Sequence, residues 1–190
     1  ESIVNKNKID FSFPFRTETI DVINWARNSY SNWKLDYLIA LNLYGKGRYN
    51  ESKNILSKIE DESLNPIFYL NRGIILQKNG VDPLKDFNKA YQLDNKNWRV
   101  SKSLSNYFYD LENYEKANQI LEKSYQNDNS NYIIGMDYVK SLVKLKKYEL
   151  AISILKKLNI LPYEHAGEGR ELYSSAYIGL ALEHIKKSKL

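Results

Sequence analysis

YEKANQIL (114–121) and YELAISIL (148–155) start 34 residues apart and agree at the tyrosine, the glutamate, the alanine and the closing Ile-Leu. Recurrence at that distance marks a repeat array, in which one supersecondary unit is copied along the chain. YNESKNIL (49–56) is a weaker third copy, 65 residues before Tyr114 and so close to two periods away. A fourth copy should lie between, and PLKDFNKAYQLD (83–94) fills the place, with Phe87 and Ala90 in the roles of the large and small residue. The NGVDP turn before it reads as about two residues short, which would account for most of the missing length.

Each copy follows a stretch with helical spacing. These are WKLDYLIALNLYGKG (33–47), PIFYLNRGIILQKNG (66–80), WRVSKSLSNYFYDLEN (98–113) and YIIGMDYVKSLVKLKK (132–147). Large apolar residues recur three and four apart, as in Leu35, Leu38 or Ile39, and Leu43, or Tyr138, Leu142 and Leu145. Each unit therefore reads as two antiparallel helices joined by a tight turn. Small residues let the helices approach: Ala40, Gly73 and Ser105 on first helices, Ser52, Ala117 and Ala151 on second helices. In the fourth unit Val139 stands in the small slot. No unit can bury its apolar face alone, so stacking must create the core.

The segments NRGIILQKNG (71–80), KDFNKAYQLD (85–94) and YEKANQIL resemble the tetratricopeptide repeat (TPR) family. The resemblance covers roughly Trp33 to Pro162. It implies an all-α fold, an α-α superhelix or TPR-like solenoid of about four helix hairpins with a flanking helix at each end. The units are expected at 33–65, 66–97, 98–130 and 131–162, with a capping or partial unit at 163–190. Residues 1–16 form an extended N-terminal segment, and 17–190 the helical array.

At the N-terminal end, TETIDVINWARNSY (17–30) reads as one more helix. Thr17 or Thr19 would cap it, Glu18 and Asp21 suit its first turn, and Ile20, Ile23, Ala26 and Tyr30 share a face. IDFSFPF (9–15) should be extended and packed on the array, because three phenylalanines are costly to expose. After Pro162, the glycines of YEHAGEGRELY (163–173) argue against a regular helix. A long amphipathic helix from Arg170 follows, with Leu172, Ala176, Gly179 or Leu180, and Ile185 on its packing face. It reads as a cap, or as the first helix of a fifth unit in a chain that continues.

A narrower resemblance runs through FPFRTETIDVINWA (13–26), WKLDYLIALNLYGKGR (33–48), PIFYLNRG (66–73), NWRVSKSL (97–104) and ILPYEHAGEGRELY (160–173). These look like the tail region of an uncharacterised bacterial family of multidomain proteins. In that family a large β-rich segment, similar to sugar-binding β-sandwiches, precedes TPR-like repeats. The resemblance implies a C-terminal portion of such a protein and supplies no catalytic residue.

Composition narrows the chemistry. The chain has no cysteine, which removes disulfides, thiolate metal sites and thiol catalysis. No apolar run approaches the ~20 residues a membrane helix needs. The net charge of +5 comes from lysines spread along the chain, which suits solvated helix faces better than a nucleic-acid site. His165 and His184 are the only histidines. With Glu164, Glu168, Glu171 and Glu183 nearby in sequence they could be imagined around a metal, but nothing has H-E-x-x-H spacing. GEGRE (167–171) lacks the Gly-Lys-Ser/Thr ending of a phosphate loop, so it reads as a turn. No cofactor and no enzymatic activity are expected.

Binding is the expected role. In a superhelix the first helices line the concave face. The inward positions would be Tyr37, Leu41 and Tyr44, then Leu70, Asn71 and Ile74, then Arg99, Lys102, Asn106 and Tyr109, then Met136, Lys140 and Lys144. Tyr37, Tyr44, Asn71, Arg99, Lys102, Asn106, Tyr109 and Lys140 are the candidate ligand contacts. Amides pair with peptide backbone and cations with carboxylates, so the expected partner is a protein or peptide, an acidic one included, or an adjacent domain of the same parent chain. The alternative is a structural C-terminal appendage of a carbohydrate-related bacterial enzyme or sugar-binding protein. Nucleic acid ranks last, since no contiguous basic face with stacking aromatics is visible.

Overall fold

The computed structural model describes residues 9–11, 16–59, 65–158 and 166–188. Among them every regular element is a helix: α1 (Thr17–Ser29), α2 (Trp33–Gly45), α3 (Tyr49–Leu56), α4 (Pro66–Lys78), α5 (Leu84–Leu93), α6 (Trp98–Asp110), α7 (Tyr114–Asn127), α8 (Tyr132–Lys144), α9 (Tyr148–Leu155) and α10 (Ala166–Lys187). The chain divides into two compact units, Glu1–Asp94 and Asn95–Leu190.

In the first unit α2 and α3 form one hairpin and α4 and α5 the next, with α3 packed on α4. The core is aromatic: Tyr37, Phe68, Tyr69 and Phe87 are all fully buried. Ala40 and Ser52 allow the close approach of α2 and α3, and the buried Ser52 hydroxyl is satisfied by donating to the Ala40 carbonyl at 2.7 Å. In α4 Gly73 is required, because a Cβ there would lie 2.6 Å from the Phe87 ring. Arg72 is held beside it by two bonds to the buried Asp86 carboxylate, at 2.8 and 2.7 Å, under the rings of Phe68 and Tyr69.

In the second unit α6 pairs with α7 and α8 with α9, and α10 packs on both α9 and α8. Its core joins Leu121, Ile134, Tyr138, Val139, Leu142, Leu155, Leu172 and Ala176. Val139 is buried without strain on the fold, because the close approach in this unit is made one turn earlier. Gly135 lies against Leu158 with no room for a Cβ.

Two local devices repeat through all four hairpins. Each first helix is capped by asparagine: Asn32, Asn65, Asn97 and Asn131 accept bonds from the amides of Lys34, Ile67, Arg99 and Ile134. Each first helix also ends in a residue of positive φ: Gly47, Gly80, Glu112 and Lys146. The next amide bonds back five residues, from Arg48 to Leu43, Val81 to Leu76, Asn113 to Phe108 and Lys147 to Leu142, at 2.9, 3.0, 2.9 and 2.9 Å. This is the Schellman turn, and it fixes where each second helix starts.

Several sequence expectations change. The NGVDP turn is longer than its counterparts. Residues 79–83 separate α4 from α5, whereas residues 111–113 separate α6 from α7. The unit is short because α5 has 10 residues against 14 in α7. The cap position of α1 falls before both threonines, since the helix already begins at Thr17. The cap position is Arg16, whose side chain makes no capping bond, and Tyr30 stands exposed past the helix end. Gly167 and Gly169 lie inside α10, which begins at Ala166 rather than near Arg170. Glycine costs only about 0.5–1 kcal/mol in a helix, and burial of Gly169 and the acidic first turn oppose that cost. Ile185 is exposed, so the packing face of α10 is carried by Leu172, Ala176, Gly179 and Leu180. Of the N-terminal segment, Phe11 is exposed, and the Ile9 carbonyl accepts from Asn65 at 3.5 Å. The other phenylalanines of that segment, and the stretch 159–165 with Pro162 and His165, lie outside the described residues.

Candidate binding site

One cleft of the second unit gathers four of the eight candidate contacts. Lys102, Asn106 and Tyr109 follow one another at i, i+4 and i+7 and so share one face of α6. With Ser105, Asp110, Leu121, Asp137 and Lys140 they line an open cleft of about 270 Å³. Asn106 is exposed and Tyr109 half-buried, its ring edge-on to Tyr114 at 5.0 Å.

The cleft is organised by a residue the sequence reading passed over. Asp137, only 6% exposed, bonds Lys102 through one carboxylate oxygen and meets Lys140 at 3.4 Å through the other. Lys140 also bonds Glu168 from the first turn of α10. Burial opposes the Lys140 charge, but the bond to Glu168 and the Asp137 carboxylate outweigh it and hold its pKa above the usual lysine value. Both lysine side chains are about one-third exposed. The cleft therefore carries two cations already matched by two carboxylates, with amide, hydroxyl and phenol groups beside them. It is a polar hydrogen-bonding surface rather than a bare cationic clamp.

The signal for Asp137 was present: an acidic residue inside the apolar run IIGMDYV, three before Lys140 and 35 after Lys102. One repeat length puts residues side by side on successive first helices. The first unit obeys the same rule. Asn71, 34 residues after Tyr37, donates to its hydroxyl at 2.6 Å.

The tyrosine of that pair is internal, however. Tyr37 is 1% exposed and wedged between Trp33 and Phe68, and burial pushes its hydroxyl up to about 12 despite the Asn71 bond. Leu41, Leu70 and Met136 are likewise buried in the cores. Tyr44 is half-buried against Tyr49 at 5.4 Å, and burial raises its pKa as well. Lys78 lies over the Tyr49 ring, as Lys144 lies over Tyr114 in the second unit. Arg99 is exposed and stacks on Trp98 at 4.4 Å, outside the cleft lining.

Among the described residues no group of three or more His, Cys, Asp and Glu side chains could hold a metal ion. His184 is exposed on α10. No described helix is long and apolar enough to cross a membrane.

No family model matches the sequence, and neither does any curated protein. Solved structures do. The C-terminal part of a TPR repeat-containing protein from Cytophaga hutchinsonii superposes with a TM-score of 0.66 at 19% identity, covering 87% of this chain and 74% of that one. The fold is a TPR-like solenoid. PilF of Pseudomonas aeruginosa gives a TM-score of 0.66 at 19% identity over 81% of this chain and 72% of its own. MamA of AMB-1 gives 0.63 at 19% identity over 81% and 95%. The Asp137 cleft lies on the first helices of two successive hairpins, α6 and α8.

Proposed function

We propose that this chain is a protein-interaction scaffold that holds a polypeptide segment of a partner on its first helices. The observation that carries the reading is the α6–α8 cleft, where Lys102, Asn106, Tyr109 and Lys140 present donors and an aromatic edge from two rigid helices. Asn106 suits backbone amides, Tyr109 an apolar side chain, and the lysines a carboxylate that takes the place of Asp137 or Glu168. Tyr44 and Asn71 in the first unit, with Arg99 at the start of α6, are secondary contacts in this proposal, and Tyr37 acts by positioning Asn71.

The partner is either a separate protein or a neighbouring domain of a longer parent chain. The second source rests on the narrower resemblance to tails that follow a β-rich segment. The neutralised state of the two lysines also favours it, since a permanently attached domain needs no electrostatic steering. Nucleic acid binding would require unpaired cations in the cleft.

The test uses the purified chain and a peptide array spanning acidic, neutral and basic sequences, with the separately expressed parent domain as a second analyte. Binding should weaken about tenfold in Asn106→Ala and more in Tyr109→Ala, as for contacts at the centre of an interface. Binding that is unchanged in both variants would remove the cleft from the site.

A further inference from the structure

α1 and α10 each have one packed side and one bare side. α1 turns Ile20, Ile23 and Ala26 to α2 and leaves Val22 and Trp25 outward, Trp25 being 70% exposed. α10 turns Leu172 and Ala176 inward and leaves Ile178, Leu182 and Ile185 outward, 60%, 53% and 49% exposed. The latter three fall at i, i+4 and i+7, a continuous stripe. Single exposed apolar residues are ordinary, but an aligned stripe on a soluble helix marks an interface.

The two bare sides are complementary in kind. α1 packs on α2 as the second helix α3 packs on α4. α10 packs on α9 and α8 as the first helix α8 packs on α7 and α6. α1 thus stands in the place of a second helix and α10 in that of a first helix. They are complementary in charge as well. Glu18 and Asp21 are exposed in the first turns of α1, while His184, Lys186 and Lys187 crowd the last turn of α10. Within a hairpin, a first helix runs antiparallel to the second. In that arrangement Val22 faces Leu182, Trp25 faces Ile178 and Glu18 faces Lys186, because both stripes advance with the same helical rise.

We propose that copies of this chain associate head to tail, α1 of one lying antiparallel on the outer face of α10 of the next. The contact is heterologous, so it extends into chains of copies unless the rotation closes a ring. A single helix pair falls below the standard interface size, which places the affinity in the micromolar range or weaker.

The experiment is sedimentation of the full chain over a concentration series at low and high salt. The weight-average mass should climb with concentration and climb less in high salt. Trp25→Glu and Leu182→Glu, both at exposed positions and checked for fold by circular dichroism, should each raise Kd by roughly tenfold or more. Mixed together, these two variants should form a one-to-one dimer that grows no further, since one keeps an intact α10 and the other an intact α1. Glu18→Lys with Asp21→Lys should weaken association, and mixing that variant with Lys186→Glu, Lys187→Glu should restore concentration-dependent growth, because both contacts in the mixture again join opposite charges. A wild-type chain that stays monomeric throughout overturns the proposal and leaves the stripes to some other occupant. A mixture of the Trp25 and Leu182 variants that stays monomeric overturns it too.

Discussion

Gly73 shows how much one hydrogen atom decides. An alanine there gains helix propensity but drives its methyl into the Phe87 ring at 2.6 Å. Overpacking costs about 1–3 kcal/mol and exceeds the propensity gain, so Gly73→Ala should lower the urea midpoint. Asp86 is a second such point. Its buried carboxylate holds the partly buried Arg72 with two bonds, and Asp86→Ala should cost about 3 kcal/mol by removing the ion-pair partner of the guanidinium. Tyr37 adds a dependence on alkali. Burial lifts its hydroxyl from 10.0 to about 12, and burial with the neighbouring Glu122 carboxylate lifts Tyr138 to about 12 as well. The folded chain binds these protons more tightly than the unfolded chain. Their contribution is therefore complete below pH 10.0 and is lost as pH rises through about 12. Urea melts across that window should show the loss, and Tyr37→Phe should show less of it.

Among elements, the hairpins rest on capping chemistry as much as on apolar pattern. Asn97→Ala should reduce stability by about 1 kcal/mol in a denaturant titration, for the loss of the bond to the Arg99 amide. Glu112 and Lys146 hold φ of 57° and 59°, where a side chain is disfavoured. Replacing either by glycine should raise the melting temperature, by about 1 kcal/mol of relieved backbone strain. These devices also explain what could be read from the chain. Gly47 and Gly80 announce their turns, but Glu112 and Lys146 occupy the same turn without any compositional sign. The asparagine preceding Trp33, Pro66, Trp98 and Tyr132 is a periodic mark that apolar spacing does not reveal. The NGVDP turn misleads because its two extra residues follow the Schellman bond, and the shortening falls on α5. The glycines of α10 mislead because each costs a helix only about 0.5–1 kcal/mol, which the rest of a 22-residue helix outweighs.

For the whole molecule, the helical repeat and its register were legible because steric demands recur at a fixed spacing. The charge state of the α6–α8 cleft was not. Lys102 and Lys140 look like free cations in the sequence, yet each depends on where Asp137 and Glu168 come to lie after folding. The inward reading also differs from the structure at Tyr37, Leu41, Leu70 and Met136, which are buried in the cores. Asp137→Asn separates these factors. It keeps the shape of the cleft while removing its central negative charge, so titration calorimetry should find carboxylate-bearing peptides bound several-fold more tightly than by the parent chain.

The bond from Glu168 to Lys140 joins the cleft to the start of a 22-residue helix. An incoming anion that captures Lys140 must evict this internal rival, and the eviction unfastens the leading turn of that helix. Occupancy would then be legible at a distance, as faster amide deuteration at Arg170 and Glu171, whose amides follow the first turn, in the loaded molecule than in the empty one.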